Sequence, residues 1–586
     1  MSRTRPKRGP SGLRGWFGAE APDFRHRGTW LILAFAAMAI TVCARLVDVQ
    51  VRQHASLTAA ATAMHQKSVT IPATRGRVLD STGRVLVSNR VVYDVFADPG
   101  LIDPATRGDV ARQLAPVLSA DLQKVEALIT EPTRFVYLAK GVSQSVSDQL
   151  TALNLGGIVV VPAEQRVYEP SPVAGTSFAA NLLGYVNADG HGQYGVEAYY
   201  DSVLHGSDGH QSTVRDVAGN SITLSNDPQS DARNGQDLQV GLDSELQYWA
   251  EQALAQGVAT AQAASGTLMM MDTKTGVIRA WAQAPTYDAN SYWTAPLADL
   301  RDLGVANVYE PGSVEKVVTF AGGLNTHVIT PGYTFNEGPT TIDGATIHDW
   351  DYRAHGLINM QYVLDESLNN GAIKIGQLMG PDSFYSNLLS FGIGAPTGID
   401  LYGEQNVPLA PQPTWSPLDL AEAAFGQHVQ VTPIEVLAAI NAVANGGVWV
   451  QPHAVQAVID PATGKSTQVA PASRRVISTA AAATLAQMMT GVVDDKGAEG
   501  ALARIPGFKG EVAGKTGTAS VAENGRYGSN VVVSFAGFLP AKNPRFTMLV
   551  VLNFPQTSAP RFGANLAAPV WKQVAQVAID QWRITP

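Results

Sequence analysis

The 586-residue chain carries 41 basic and 50 acidic side chains for a net charge of -9, with 45% hydrophobic and 16% charged residues. That length exceeds one ordinary domain and supplies apolar material for more than one core, while the acidic balance argues against a nucleic-acid binder, which presents a basic face. A single cysteine, Cys43, excludes an internal disulfide framework and a multi-thiolate metal site.

The first predicted element is the apolar run Thr29 to Ala44, with Trp30 near one end and Arg45 at the other. It reaches the ~20 residues of a spanning helix once its flanks are counted. Arg3, Arg5, Lys7, Arg8, Arg14, Arg25 and Arg27 precede it against Glu20 and Asp23, so the positive-inside rule places residues 1–28 in the cytoplasm, residues 29–46 in the membrane and the remainder outside. A cleaved signal peptide is the competing reading. It fits less well, because Ala44-Arg45-Leu46-Val47 lacks the small residues of a cleavage site and Leu46 to Met64 continues in helical style. Cys43 reads as apolar filler.

From Ser68 the pattern changes to short strands, Ser68 to Pro72, Arg77 to Leu79 and Arg84 to Ser88, separated by Gly-containing turns. Helices are predicted at Asp109 to Val117 and Ser119 to Ile129, then a strand at Gly157 to Pro162, which makes residues 47–236 an α+β pedestal. The polar stretch Asn226 to Gln236 marks the boundary with a second domain, residues 237–586. That domain opens with a helix capped by Asp243 or Ser244, burying Leu246, Trp249, Ala250, Ala253 and Leu254 along one face. Strands are predicted at Thr267 to Met271, Val277 to Ala280, Val531 to Phe538 and Phe546 to Asn553, the last two joined through Pro540 to Pro544, and a helix closes the chain from Ala564 to Ile579. A sheet between helical layers is the expected arrangement.

Three short motifs occur in this domain in a fixed order: Ser313-Val314-Glu315-Lys316, Ser367-Leu368-Asn369 and Lys515-Thr516-Gly517-Thr518. A second K-T-G, Lys274-Thr275-Gly276, falls between two strand-like runs and reads as a hairpin turn. Pro311-Gly312 before Ser313 resembles a helix start, which puts Lys316 one turn on, over the same face as Ser313. An amine there takes the hydroxyl proton as Ser313 attacks a carbonyl, provided that it is neutral. Burial and the cation of Lys515 both favour the neutral form. Glu315, two residues on, points away and is expected at the surface. Ser367 joins the proton network and Asn369 hydrogen-bonds the substrate backbone. Lys515 and Thr516 fit an inner strand and meet a substrate carboxylate, Gly517 allows close approach, and the Thr518 and Ser313 N–H groups form an oxyanion hole.

This order of S-x-x-K, S-x-N and K-T-G is a signature of class A β-lactamases and penicillin-binding proteins. With Tyr309 to Lys316, Val512 to Ala519, Arg75-Gly76-Arg77-Val78-Leu79-Asp80, Gly195-Val196-Glu197 and Phe425-Gly426-Gln427 leading to Val431-Thr432-Pro433, the chain resembles the class B penicillin-binding proteins from the membrane segment onward. The resemblance implies a multidomain α/β protein: one transmembrane helix, the α+β pedestal, and a C-terminal β-lactamase-like transpeptidase domain with an antiparallel sheet between helical layers. It implies a monofunctional D,D-transpeptidase, without metal or cofactor, that acylates Ser313 with the D-Ala-D-Ala end of a peptidoglycan stem peptide and binds β-lactams at the same serine. Lys316, Ser367, Asn369 and Lys515 complete the catalytic set, and Thr516, Gly517 and Thr518 bind substrate. A polytopic glycosyltransferase of the shape, elongation, division and sporulation family is the implied partner. Asn369 at the third position of its motif resembles the division-type, septal members. His428 after Phe425-Gly426-Gln427 departs from the glycine of many relatives and reads as a packed or surface residue. Alternatives are an elongation-type enzyme, a scaffold that activates the glycosyltransferase, a hydrolase, for which Glu366 beside Ser367 is badly placed, and a β-lactam sensor, which needs a cytoplasmic signalling domain.

Overall fold

The computed structural model describes residues 24–58, 66–215, 221–222, 228–495, 497–523 and 526–586. The basic tail as far as residue 23, residues 59–64 of the predicted helical continuation and the start of the polar boundary stretch lie outside the described residues. The chain divides into two units, one of residues 1–71 and 209–231 and one of residues 72–208 and 232–586.

In the first unit, helix α1 (Phe24–Val47) passes into a single π-helical turn, Asp48–Arg52. Among the described residues, Gly28–Arg52 is the one helix long and apolar enough to cross a membrane. Trp30, Leu31, Ile32, Phe35, Met38 and Ile40 are exposed around it, as a helix that buries its surface in lipid requires. The strand Gln66–Ile71 pairs antiparallel with Gly209–Arg215, Gln66 opposite Val214.

The second unit begins with a mixed sheet. Strand β1 (Val78–Leu79) pairs with β2 (Val85–Ala97), which runs on to pair with β3 (Val136–Val142) and β4 (Ile158–Tyr168). Helices α2 (Arg107–Val117), α3 (Leu122–Thr130) and α4 (Gln144–Leu153) cover one face through Leu114, Val125, Ile129 and Leu150. Helix α3 starts at Leu122, capped by Asp121, and not at Ser119, whose φ of 51° is left-handed. On the other side of β1, β5 (Asp237–Val240) pairs in parallel and is followed by Val455–Ile459. Strands from the pedestal and from the catalytic segment therefore share one sheet.

Two of the sequence motifs meet beneath it. Glu197, fully buried, accepts from Arg75 Nη2 at 2.6 Å and from Arg166 Nε at 2.8 Å, and Arg75 also reaches Asp201 at 2.7 Å. Paired in this way, the three buried charges are tolerated, whereas losing one partner strands the others. Gly76 is required because a Cβ there would lie 1.9 Å from the Gln236 carbonyl oxygen.

Helix α5 (Ser244–Ala261) is capped by Asp243, whose side chain accepts from Glu245 N and Leu246 N. Leu246, Ala250, Ala253 and Leu254 are buried, but Trp249 is 38% exposed, off the face predicted for it. The sheet of this region comprises β6 (Ser265–Asp272), β7 (Ile278–Ala284), β8 (Ala513–Glu523), β9 (Arg526–Leu539) and β10 (Phe546–Asn553), all antiparallel in the order β7-β6-β10-β9-β8. Every residue of β10 is buried, and the period of two divides it between cores. Met548, Val550 and Leu552 pack with α5 and the final helix α10 (Gly563–Trp582), while Leu549 and Val551 pack toward the catalytic helices. Trp571 of α10 is buried and donates its indole N–H to the Met548 carbonyl at 3.0 Å; a side chain buried in this way contributes about 2–3 kcal/mol.

Candidate active site

The Pro311-Gly312-Ser313 segment forms one 3-10 turn, Gly312–Val314, and helix α6 begins at Lys316 (Lys316–Asn325). Gly312 has a φ of 58° and donates its N–H to the Gly426 carbonyl at 2.9 Å. Gly426, with a φ of 88°, leaves a Cβ no room, since it would lie 2.0 Å from Gly312 O. Tyr309 and Val431 exchange both backbone hydrogen bonds, so Phe425-Gly426-Gln427 and Val431-Thr432-Pro433 buttress the turn that carries Ser313. Thr432 and Glu435 then form a capping box that starts α8 (Pro433–Ala444).

Glu315 is not at the surface. It is 3% exposed behind this turn, its Oε1 has no hydrogen-bond partner, and burial together with Glu435 raises its carboxyl pKa to about 8. A 3-10 start rotates residue i+2 inward relative to an α-helical start, which the sequence reading did not anticipate.

Ser367 has a φ of 55°, a left-handed conformation that costs a non-glycine residue about 1–2 kcal/mol. It directs two oxygens of one residue at the same ammonium: Lys316 Nζ donates to Ser367 O at 2.5 Å and to Ser367 Oγ at 3.4 Å. Lys515 Nζ donates to the same Oγ at 2.7 Å. Three segments distant in sequence thus converge on one hydroxyl. Lys316 also donates to Asn369 Oδ1 at 2.8 Å, and Asn369 Nδ2 donates to His348 O at 3.2 Å. Asn369 is therefore engaged in holding Lys316. Among the described residues no hydrogen bond joins the partly buried Ser313 hydroxyl to Lys316.

Lys316 is fully buried, and burial, reinforced by the Lys515 cation, lowers its pKa to about 7. Lys515 is equally buried; burial lowers its pKa, opposed by Glu499. An amine whose pKa is brought to about 7 can give up its proton near neutrality, as a general base must.

The strand bearing Lys515, Thr516, Gly517 and Thr518 is β8, at the edge of the sheet and not inside it. One side pairs with β9, Gly517 opposite Ser534; among the described residues no strand pairs with the other. Gly517 packs against the Ser313 turn: a Cβ would lie 2.8 Å from Val314 Cγ2 and 2.3 Å from Ser534 Oγ. Thr518 Oγ1 accepts from Gly563 N at 3.2 Å. The second K-T-G is the tight β6–β7 turn, Gly276 at a φ of 80° and the Asp272 carboxylate accepting from Lys274 N, Thr275 N and Thr275 Oγ1.

Two residues that the sequence reading passed over belong to the site. Asp349, 2% exposed, accepts from the Asn369 and Asn370 backbone N–H groups and so caps α7 (Asn369–Met379) from a distant loop. Glu499 accepts from Thr516 Oγ1 at 2.5 Å and lies 3.6 Å from Lys515 Nζ. Neither stands within a motif, so only folding reveals it. His428 is an outer residue: its backbone N–H donates to Glu310 at 3.1 Å and its ring lies 3.4 Å from Asp419, edge-on to Trp415.

The sequence matches the penicillin-binding protein transpeptidase domain over residues 266–576, more than half of the chain, and the penicillin-binding protein dimerisation domain over residues 70–240. It is 30% identical to penicillin-binding protein PbpB of Mycolicibacterium smegmatis, across 99% of this chain and 93% of that one. It is 29% identical to peptidoglycan D,D-transpeptidase FtsI of Escherichia coli K12, across 88% and 85%. Among solved structures, a peptidoglycan synthetase from Bifidobacterium adolescentis superposes with a TM-score of 0.70 at 26% identity, across 89% of this chain and 97% of that one.

Proposed function

The chain belongs to the class B penicillin-binding proteins, serine D,D-transpeptidases of peptidoglycan synthesis that also bind β-lactams, and we propose that Ser313 is its nucleophile, with Lys316, Ser367, Asn369 and Lys515 as its catalytic partners. The observation that carries this reading is the convergence of Lys316 and Lys515 on the oxygens of Ser367.

Neutral Lys316 takes the Ser313 proton as Oγ attacks the carbonyl carbon between the two terminal D-alanines. Negative charge develops on the carbonyl oxygen, where the N–H groups of Ser313 and Thr518 receive it. The proton passes from Lys316 through Ser367 to the leaving amine; the C–N bond breaks, D-alanine departs, and the acyl group remains on Ser313. An amine from a neighbouring stem peptide then attacks this ester and restores the serine. Lys515 and Thr516 hold the terminal carboxylate of the donor, Gly517 lets the strand lie close against the Ser313 turn beside it, and the open edge of β8 pairs with its backbone. A β-lactam enters the same steps, with its ring amide as the bond broken.

We assign residues 29–46 to a membrane anchor, residues 1–28 to the cytoplasm, residues 47–236 to the pedestal and residues 237–586 to the transpeptidase domain. The apolar surface of α1 and the basic excess ahead of it support that topology. Anchor and pedestal then offer the contacts for a polytopic glycosyltransferase partner, and Asn369 supports a place in septal synthesis. Detergent-solubilised full-length protein supplied with donor stem peptide and an acceptor amine is expected to release D-alanine and form the cross-link. Release of D-alanine without any cross-link would favour a hydrolase. A fluorescent fusion tests the septal assignment, which a side-wall distribution with no midcell band would refute.

A further inference from the structure

Thr516 and Lys515 already hold a carboxylate. The Thr516 hydroxyl donates to Glu499 Oε2 at 2.5 Å, and the same oxygen lies 3.6 Å from Lys515 Nζ. A hydroxyl and an ammonium converging on one carboxylate oxygen is what recognition of a substrate carboxylate requires. In the free protein the anion is the chain's own.

The reason is electrostatic. Lys515 has no exposed side-chain surface, and a buried ammonium without an anion is costly. Glu499 supplies the charge while keeping a quarter of its side chain in solvent. It sits between Gly497, at a φ of 88°, and Gly500, beyond the C-terminus of α9 (Thr479–Asp494). A donor carboxylate arriving at Thr516 meets Glu499 as a like charge, and two carboxylates cannot share one ammonium without repulsion.

We propose that Glu499 is a resident counter-ion that occupies the substrate-carboxylate subsite and is displaced by the donor, so that it limits acylation by carboxylate-bearing donors and β-lactams. This rests on the reading of Lys515 and Thr516 as the carboxylate-binding pair and adds to it a residue that competes for them. Displacement puts Glu499 in water, which its partial exposure permits, and hands the hydroxyl and ammonium to the incoming anion.

The test compares second-order acylation constants of full-length wild type, Glu499→Gln and Glu499→Ala toward benzylpenicillin and toward its methyl ester, in which the carboxylate is masked. Relative to the ester, both variants are expected to react about tenfold faster with benzylpenicillin, equivalent to about 1.4 kcal/mol, with a lowered melting temperature because Lys515 loses its counter-ion; a change common to both compounds reports the loss of the Glu499 charge near Lys316. An unaltered or lowered ratio of the benzylpenicillin constant to the ester constant in folded variants would overturn the proposal. Ser313→Ala in parallel separates the two claims: continued acylation of that variant breaks the assignment of the site, whereas its silence together with an unresponsive Glu499 breaks only this inference.

Discussion

Replacing Lys515 by methionine is expected to move the pH dependence of acylation as well as its height. Lys316 and Lys515 share the Ser367 hydroxyl at 3.4 and 2.7 Å, which holds the two ammonium nitrogens within about 6 Å. At an effective dielectric of about 20, two unit charges at that separation repel by roughly 2.8 kcal/mol, a factor of about 100 in an equilibrium constant. Burial is the larger cause of the low Lys316 pKa and persists in the variant. The acylation constant of wild type should therefore rise with pH to a plateau, its midpoint near the Lys316 value of about 7, because only the neutral amine accepts the serine proton. In Lys515→Met the midpoint should climb by about one to two pH units, on top of a uniform loss from weaker carboxylate binding. Stopped-flow acylation by a fluorescent penicillin across the neutral and alkaline range reads both effects. An unchanged midpoint in the variant would show that the limb does not report Lys316, or that Lys515 is not its charged neighbour.

Ser367→Ala removes the hydroxyl common to both amines and should lower the acylation constant by about 10²–10⁴-fold with little change in melting temperature; near-normal acylation would exclude it from the proton path. Glu197→Ala leaves Arg75 and Arg166 buried without their carboxylate, at a cost of about 3–5 kcal/mol, so a thermal melt matching wild type would contradict the account of the pedestal. Glu315→Gln should stabilise the protein in a pH-dependent way. The unfolded carboxyl titrates near 4.5 and the buried one near 8, so the folded state keeps a proton that the unfolded state loses between those values. Wild type loses more stability over that interval than the glutamine variant, which keeps Glu435 with its own raised pKa of about 7, and the melting-temperature gap should widen as pH rises; a constant gap would place Glu315 in solvent.

The order of the motifs made part of the site legible in sequence, since Lys316, Ser367 and Lys515 meet around one hydroxyl and Ser313 stands on the turn just ahead of α6. The β-rich C-terminus was equally plain, because β10 is apolar throughout and bounded by turns. Where local pattern misled, tertiary context was responsible. Glu315 looks like a solvated helical residue, yet the 3-10 turn and the close approach of Gly426 bring it inside. Trp249 fits the apolar period of α5 but is left 38% exposed. The edge position of β8 depends on the order of the strands, which no single strand encodes. Asp349 and Glu499 carry no motif, and their roles arise from loops that fold back onto groups 20 and 17 positions away.

The assignment of Ser313 as the acylated residue is tested most directly by mass spectrometry of the full-length protein after exposure to penicillin, followed by peptide mapping. The account predicts a single adduct on the peptide containing Ser313 and none in Ser313→Ala. An adduct on any other residue, or its survival in that variant, would contradict it.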